Sequence, residues 1–143
     1  MAIAELLKPP KEPPVYFKGN DHRAPRADLF DSEAQAVAKR LADLPASQLR
    51  RFYASVMSLR QQRELARDGL PVELLQSRMG LLKAQAAYTR KRDKDYPDEL
   101  VSFFTRHAAG VRTWNDFLYG FQPHFEAVVA YHKVFEKKKR ERT

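Results

Sequence analysis

Nine cations, Arg50, Arg51, Arg60, Arg63, Arg78, Lys83, Arg90, Lys91 and Arg92, are the side chains through which this sequence could act on another molecule. Guanidinium and ammonium groups spaced along helices neutralise phosphates, and such contacts carry no base information by themselves. The densest part is residues 74–94, LLQSRMGLLKAQAAYTRKRDK, which reads as one amphipathic helix. With Leu75 as origin and about 100° per residue, Leu74, Met79, Leu81, Leu82, Ala86 and Thr89 form a broad core face. Lys83 and Arg90 lie in line along its edge, and Gly80, Ala84, Ala87 and Lys91 share the face behind them. Small side chains beside long cations let a polyanion approach the backbone while its phosphates are neutralised.

Other chemistries find no constellation. His22, His107, His124 and His132 show no ligand pairing one helical turn apart and no HExxH, and cysteine is absent. His132 reads as a core-edge residue. Asp93, Asp95, Asp98 and Glu99 suit the start of a helix, where carboxylates meet the positive end of its dipole, better than a two-metal site. There is no GxSxG elbow, Walker loop or GxGxxG, and the arginine-then-histidine signature of one helical ribonuclease family is missing. The expectation is a protein that is not an enzyme and uses no cofactor or metal.

The elements that must position the cations are helical. The chain has 143 residues, 5 glycines and 43% hydrophobic residues, which predicts an all-α fold, a single compact bundle of about five helices. Residues 1–30 hold Pro9, Pro10, Pro13, Pro14 and Pro25 and read as a flexible Pro-rich N-terminal arm. Residues 1–7 could form a helical turn there, and Val15, Tyr16 and Phe17 could dock on the body or on a neighbour. The bundle spans 31–136, and 137–143 form a frayed basic tail. A first helix starts at Asp31 or Ser32, buries Ala34, Val37, Ala38 and Leu41, carries Lys39 and Arg40 outside, and stops at Pro45. Ser47 caps a second that buries Leu49, Phe52, Tyr53, Val56 and Leu59 and ends near Gly69. Its Arg60 and Arg63 fall back toward the apolar line: they snorkel or meet buried acids at the domain edge, or that end faces a partner. Pro71 opens the third helix and Pro97 the fourth, which fades at Gly110. An aromatic-rich last segment runs from Thr113 to about Lys138, with a kink or short break at Gly120 and Pro123.

Charge is local. Of the net +8, residues 137–143 hold +4; residues 78–94 hold +5, which leaves the rest of 31–136 slightly acidic. A concentrated basic patch is a better sign of a polyanion partner than the overall pI. No apolar run is long enough to span a membrane and no apolar leader opens the chain, so a cytoplasmic location is expected.

Three phrases, SQLRRFYASV, LLKAQAAYTRKRD and FQPHFEAVVAYHKVF, resemble the small subunit of type III-A CRISPR (Csm) effector complexes, over roughly residues 46–138. The resemblance implies a helical bundle without catalytic activity, stacked in several copies along a ribonucleoprotein for antiviral defence. Its partners would be crRNA and target RNA, the backbone subunits that cleave target, the large polymerase-domain subunit, and further copies of itself. It carries Arg50, Arg51, Lys83 and Arg90 over as RNA-contacting positions; Arg60, Arg63, Arg78, Lys91 and Arg92 come from spacing. Two other readings remain: a free-standing DNA-binding protein using the third helix for recognition, and a protein–protein adaptor with acidic partners.

Overall fold

The computed structural model describes residues 10–136, so the expected turn over residues 1–7 and the basic tail over 137–143 lie outside the described residues. Five α-helices follow a short 3-10 turn at Ala27–Phe30: α1, Ser32–Arg40; α2, Ala46–Leu65; α3, Val72–Arg92; α4, Glu99–Gly110; and α5, Gln122–Phe135. The all-α bundle expected from the sequence is the observed architecture. Among the described residues the sole β feature is an isolated bridge between Phe17 and Pro25.

α1 buries Ala34, Val37 and Ala38 as expected, but it stops at Arg40, before Pro45. The His132 ring accounts for this early exit. Its Nε2 lies 3.1 and 2.9 Å from the Leu41 and Leu44 carbonyls, which can only accept, so the ring N–H caps the helix end. The start of α2 is corrected too. Pro45 occupies the capping position and Ser47 makes no capping bond. Instead, a Glu136 carboxylate oxygen accepts from the Ala46 N–H at 3.1 Å. A carboxylate from the far end of the chain thus meets the positive end of α2. After α2, Gly69 adopts φ +80°, the left-handed turn that glycine tolerates.

The core is aromatic. Phe103, Phe104, Phe117, Phe121 and Phe125 are all fully buried. Phe103 and Phe104 meet edge to face with centroids 5.1 Å apart, as Phe104 and Phe125 do at 5.6 Å. The break expected at Gly120 and Pro123 is a π-helical stretch, Asp116–Phe121, running straight into α5. A widened turn absorbs the proline without a loop.

On α3, Leu75, Met79, Leu82, Ala86 and Thr89 are buried, whereas Leu81 is 51% exposed. The expected core face was too broad. α3 packs chiefly on α4 and so buries a narrow strip. Leu81 is turned about 120° from Leu75, outside that strip.

From Pro14 onward the N-terminal segment lies against the bundle. Tyr16, Phe17 and Leu29 are buried, so of the docking that the sequence allowed at Val15, Tyr16 and Phe17 the two rings dock on the body, while the Val15 side chain is exposed. Arg26 ties it down, with Nε donating to the Val15 carbonyl at 2.7 Å and an ion pair to Glu33. Two glycines admit the strap: a Cβ on Gly120 would sit 2.5 Å from Tyr16 Cγ, and one on Gly110 would sit 2.8 Å from Pro14 Cδ. Gly120→Ala is expected to lose about 1–3 kcal/mol in urea unfolding through overpacking. Gly80→Ala, where a Cβ meets nothing within 4 Å in mid-helix, is expected to gain about 0.5–1 kcal/mol.

Candidate nucleic-acid interface

α2 and α3 touch along only a short stretch, because α3 is held by α4 and α2 by α5. The gap is an open groove. Its larger part, about 390 Å³, is lined by Gln48, Arg51, Phe52 and Ser55 of α2 and by Ala84, Gln85, Tyr88, Thr89 and Arg92 of α3. Through the shared Ser55 and Gln85 it continues into about 160 Å³ bordered by Ser58, Leu59, Arg78, Leu81 and Leu82.

Three of the nine sequence-derived cations therefore line this groove, Arg51 and Arg92 in its larger part and Arg78 in its smaller. No carboxylate lines either part of the groove, and none of the ion pairs among the described residues uses these three arginines. Their charge is unneutralised by the bundle. The Arg92 guanidinium lies 5.6 Å from the centre of the Tyr88 ring, a contact that leaves its charge available.

The other six lie elsewhere. Arg50 is exposed on α2, outside the groove lining. Lys83 and Lys91 are exposed on the flank of α3 among the equally exposed Gly80, Ala84 and Ala87, so that small-residue face exists and is free of the core. Arg90 pairs at the surface with the exposed Asp98, whose carboxylate oxygen accepts from Nη2 at 2.6 Å. Arg60 pairs with Glu64 at 3.0 Å and also donates to the Gln122 side chain. The Arg63 guanidinium sits 5.7 Å from the Trp114 ring centre. Arg60 and Arg63 thus bind α2 to the start of the last helical segment, the domain-edge alternative.

Spacing contained a signal for the groove that the Lys83 and Arg90 line obscured. Arg78, Gln85 and Arg92 recur every seven residues, and so do Leu81 and Tyr88. Two heptad lines mark one helix stripe. Tyr88, Gln85, Gln48, Ser55 and Ser58 are polar or aromatic lining residues that the charge-first reading missed.

A second polar cluster lies in the core, on the side of α4 facing the strap. Glu99, read from sequence as a dipole-compensating carboxylate at a helix start, is 1% exposed. It receives Arg40 at 3.1 Å and Arg106 at 3.1 and 3.2 Å. Arg40, expected on the outer face of α1, is thereby turned inward, its side chain 8% exposed. Beside this triad, Tyr16 Oη lies 2.7 Å from His107 Nδ1, and His124 Nδ1 donates to the Leu29 carbonyl at 2.5 Å. Burial, reinforced by His124 and Arg106, pushes the His107 pKa well below its ordinary value. Burial likewise lowers His124 to about 4, against the pull of the Leu29 carbonyl and Glu33. Desolvation raises the Tyr16 phenol well above its ordinary value. These groups hold the strap and α1 to the core; Arg40, Arg106, His107 and His124 among them line a cavity of about 330 Å³ together with Pro10, Pro13 and Pro14 of the N-terminal segment.

No group of three or more His, Cys, Asp or Glu among the described residues is arranged to hold a metal ion. No described helix is long and apolar enough to cross a membrane. In comparison with protein families, the model described as Csm2 Type III-A matches residues 24–138. No curated protein and no solved structure matches the chain.

Proposed function

We infer the role of this chain from one premise: it belongs to the Csm2 Type III-A family, the structural small subunit of the type III-A CRISPR (Csm) effector complex. Within that complex we propose that it acts without chemistry of its own, in the cytoplasm, as one of several stacked copies beside crRNA and target RNA. The observation that supports an RNA-contacting role is the convergence of Arg51, Arg78 and Arg92 on an acid-free groove between α2 and α3. Exposed Lys83 and Lys91 extend the positive surface over the flank of α3.

A subunit repeated along RNA must be indifferent to base identity, and phosphate-directed arginines meet that demand. Selection is then left to base pairing between guide and target. Weak contacts suffice, since each copy is held near the RNA by its neighbours and by the backbone and large subunits.

Titration of the isolated full chain against scrambled single-stranded RNAs at several salt concentrations tests this reading. Weak, sequence-indifferent binding is expected, with log K falling steeply as log salt rises. Arg51→Glu with Arg92→Glu is expected to abolish measurable binding or to flatten that slope by about 1.4, two phosphate contacts at about 0.7 each on single strands. Circular dichroism should be unchanged, because both side chains are exposed. Wild-type affinity and slope in this variant would remove the groove from the reading. A strong preference for one DNA duplex would select the recognition-helix alternative instead.

A further inference from the structure

The α2–α3 groove holds an aromatic ring that phosphate neutralisation does not require. Tyr88 is 64% exposed, yet it lines the groove with Arg51 and Arg92, and Arg92 packs on it at 5.6 Å. Around them stand Gln48, Ser55 and Gln85, side chains that both donate and accept hydrogen bonds. The groove, about 390 Å³, falls within the range of small-ligand sites, about 300–1,000 Å³.

We propose that this groove is a seat for an unpaired nucleotide, with Tyr88 as the stacking platform for its base and Arg51 and Arg92 as the clamp on its phosphates. The inference rests on the RNA-contacting reading above and makes it more specific: the groove selects single-stranded over fully paired RNA.

Three physical points lead to it. An exposed tyrosine on a helix is solvated at a cost, and a base supplies the apolar face that its ring lacks. Every base has a π-face, so stacking adds affinity without demanding a sequence. An arginine packed on the ring keeps its N–H groups free for a phosphate, so one pair of residues addresses both halves of a nucleotide. A base inside a duplex is already stacked on its neighbours and cannot also lie on Tyr88. The glutamines and serine accept the varied edges of different bases through reoriented amide and hydroxyl groups.

The test uses the full chain with an unstructured RNA octamer and a blunt RNA duplex of the same length, compared at one salt concentration. Tyr88→Ala is expected to weaken octamer binding by roughly 5- to 100-fold, the range set by losing one base stack. Duplex binding and the salt slope should stay as in wild type, and Tyr88→Phe should bind the octamer as wild type does. Tyr88→Leu, which keeps apolar bulk without a π-face, should fall with the alanine variant. An unchanged octamer affinity in Tyr88→Ala would overturn the nucleotide seat, as would an equal loss on the duplex. That failure is separable from failure of the broader reading, because the latter is tested by Arg51→Glu with Arg92→Glu. If the arginine variant loses RNA while Tyr88→Ala does not, the groove contacts phosphates only.

Discussion

Glu99→Ala is expected to lower the unfolding free energy by about 3–5 kcal/mol, a large part of the roughly 5–15 kcal/mol that holds a domain of this kind together. The carboxylate is 1% exposed and receives two guanidinium groups, from Arg40 on α1 and from Arg106 about two turns along α4. Deleting it leaves two positive charges in the core, with side chains 8% and 6% exposed. Their mutual repulsion and desolvation lose the carboxylate that faces both. The same logic predicts the rescue. Arg40→Met and Arg106→Met combined with Glu99→Leu should recover most of the loss, because an apolar triad of similar volume avoids the desolvation that the ionic one must offset. Urea midpoints of the single and triple variants measure both effects. A single variant as stable as wild type would show that water reaches the triad and that its burial is not maintained in solution.

That triad marks where sequence reading reaches its limit. Helix number, order and apolar stripes were legible because periodicity reports which face is buried: Leu49, Phe52, Val56 and Leu59 repeat at helical spacing and are all buried. Glu99 was illegible for the opposite reason. A carboxylate after a proline satisfies local rules for a helix start, and nothing nearby in sequence shows that arginines 59 and 7 positions away converge on it. Glu136 capping α2 and His132 capping α1 are missed likewise, since local cap signals cannot anticipate a donor or acceptor brought by folding. The Pro-rich segment is a related case. Prolines exclude a helix there, but an extended strap docked through Tyr16 satisfies them as well as a flexible arm does.

The candidate interface was half legible. Charge concentration led to α3, but charge alone cannot distinguish a cation presented to solvent from one consumed within the bundle. Arg90 has the same type and neighbourhood as Arg92, yet Asp98 engages the first while the second borders an acid-free groove. Only the relative placement of α2 and α3 separates them. The family membership and this placement are complementary: the first identifies the assembly, the second shows which arginines line one acid-free groove.

Acid is expected to destabilise the fold well before carboxylate titration begins. His107 and His124 have ring centroids 5.2 Å apart and are buried, with Tyr16, Phe103, Phe121, Arg106 and Glu33 as their surroundings. In the unfolded chain both titrate near 6.5; in the native state His124 is held at about 4 and His107 is held well below 6.5. Between those limits the unfolded state binds more protons than the native state. Stability therefore stands at its full value above pH 6.5 and declines as pH falls toward 4. Each histidine that is neutral when folded and protonated when unfolded contributes about 1.4 kcal/mol per pH unit. With both in that condition, the slope near pH 5.5 approaches about 2.5 kcal/mol per unit. Glu33 does not contribute there: Arg26 lowers its pKa from 4.5, so its share of stability is lost only at more acid pH. Urea unfolding free energies at half-unit intervals from pH 7.5 to 5 read the proton number directly. A slope of less than one proton near pH 5.5 would mean that at least one of the two rings is protonated in the native state. A charged His107 can only donate from Nδ1, so the Tyr16 hydroxyl beside it would then serve as the acceptor.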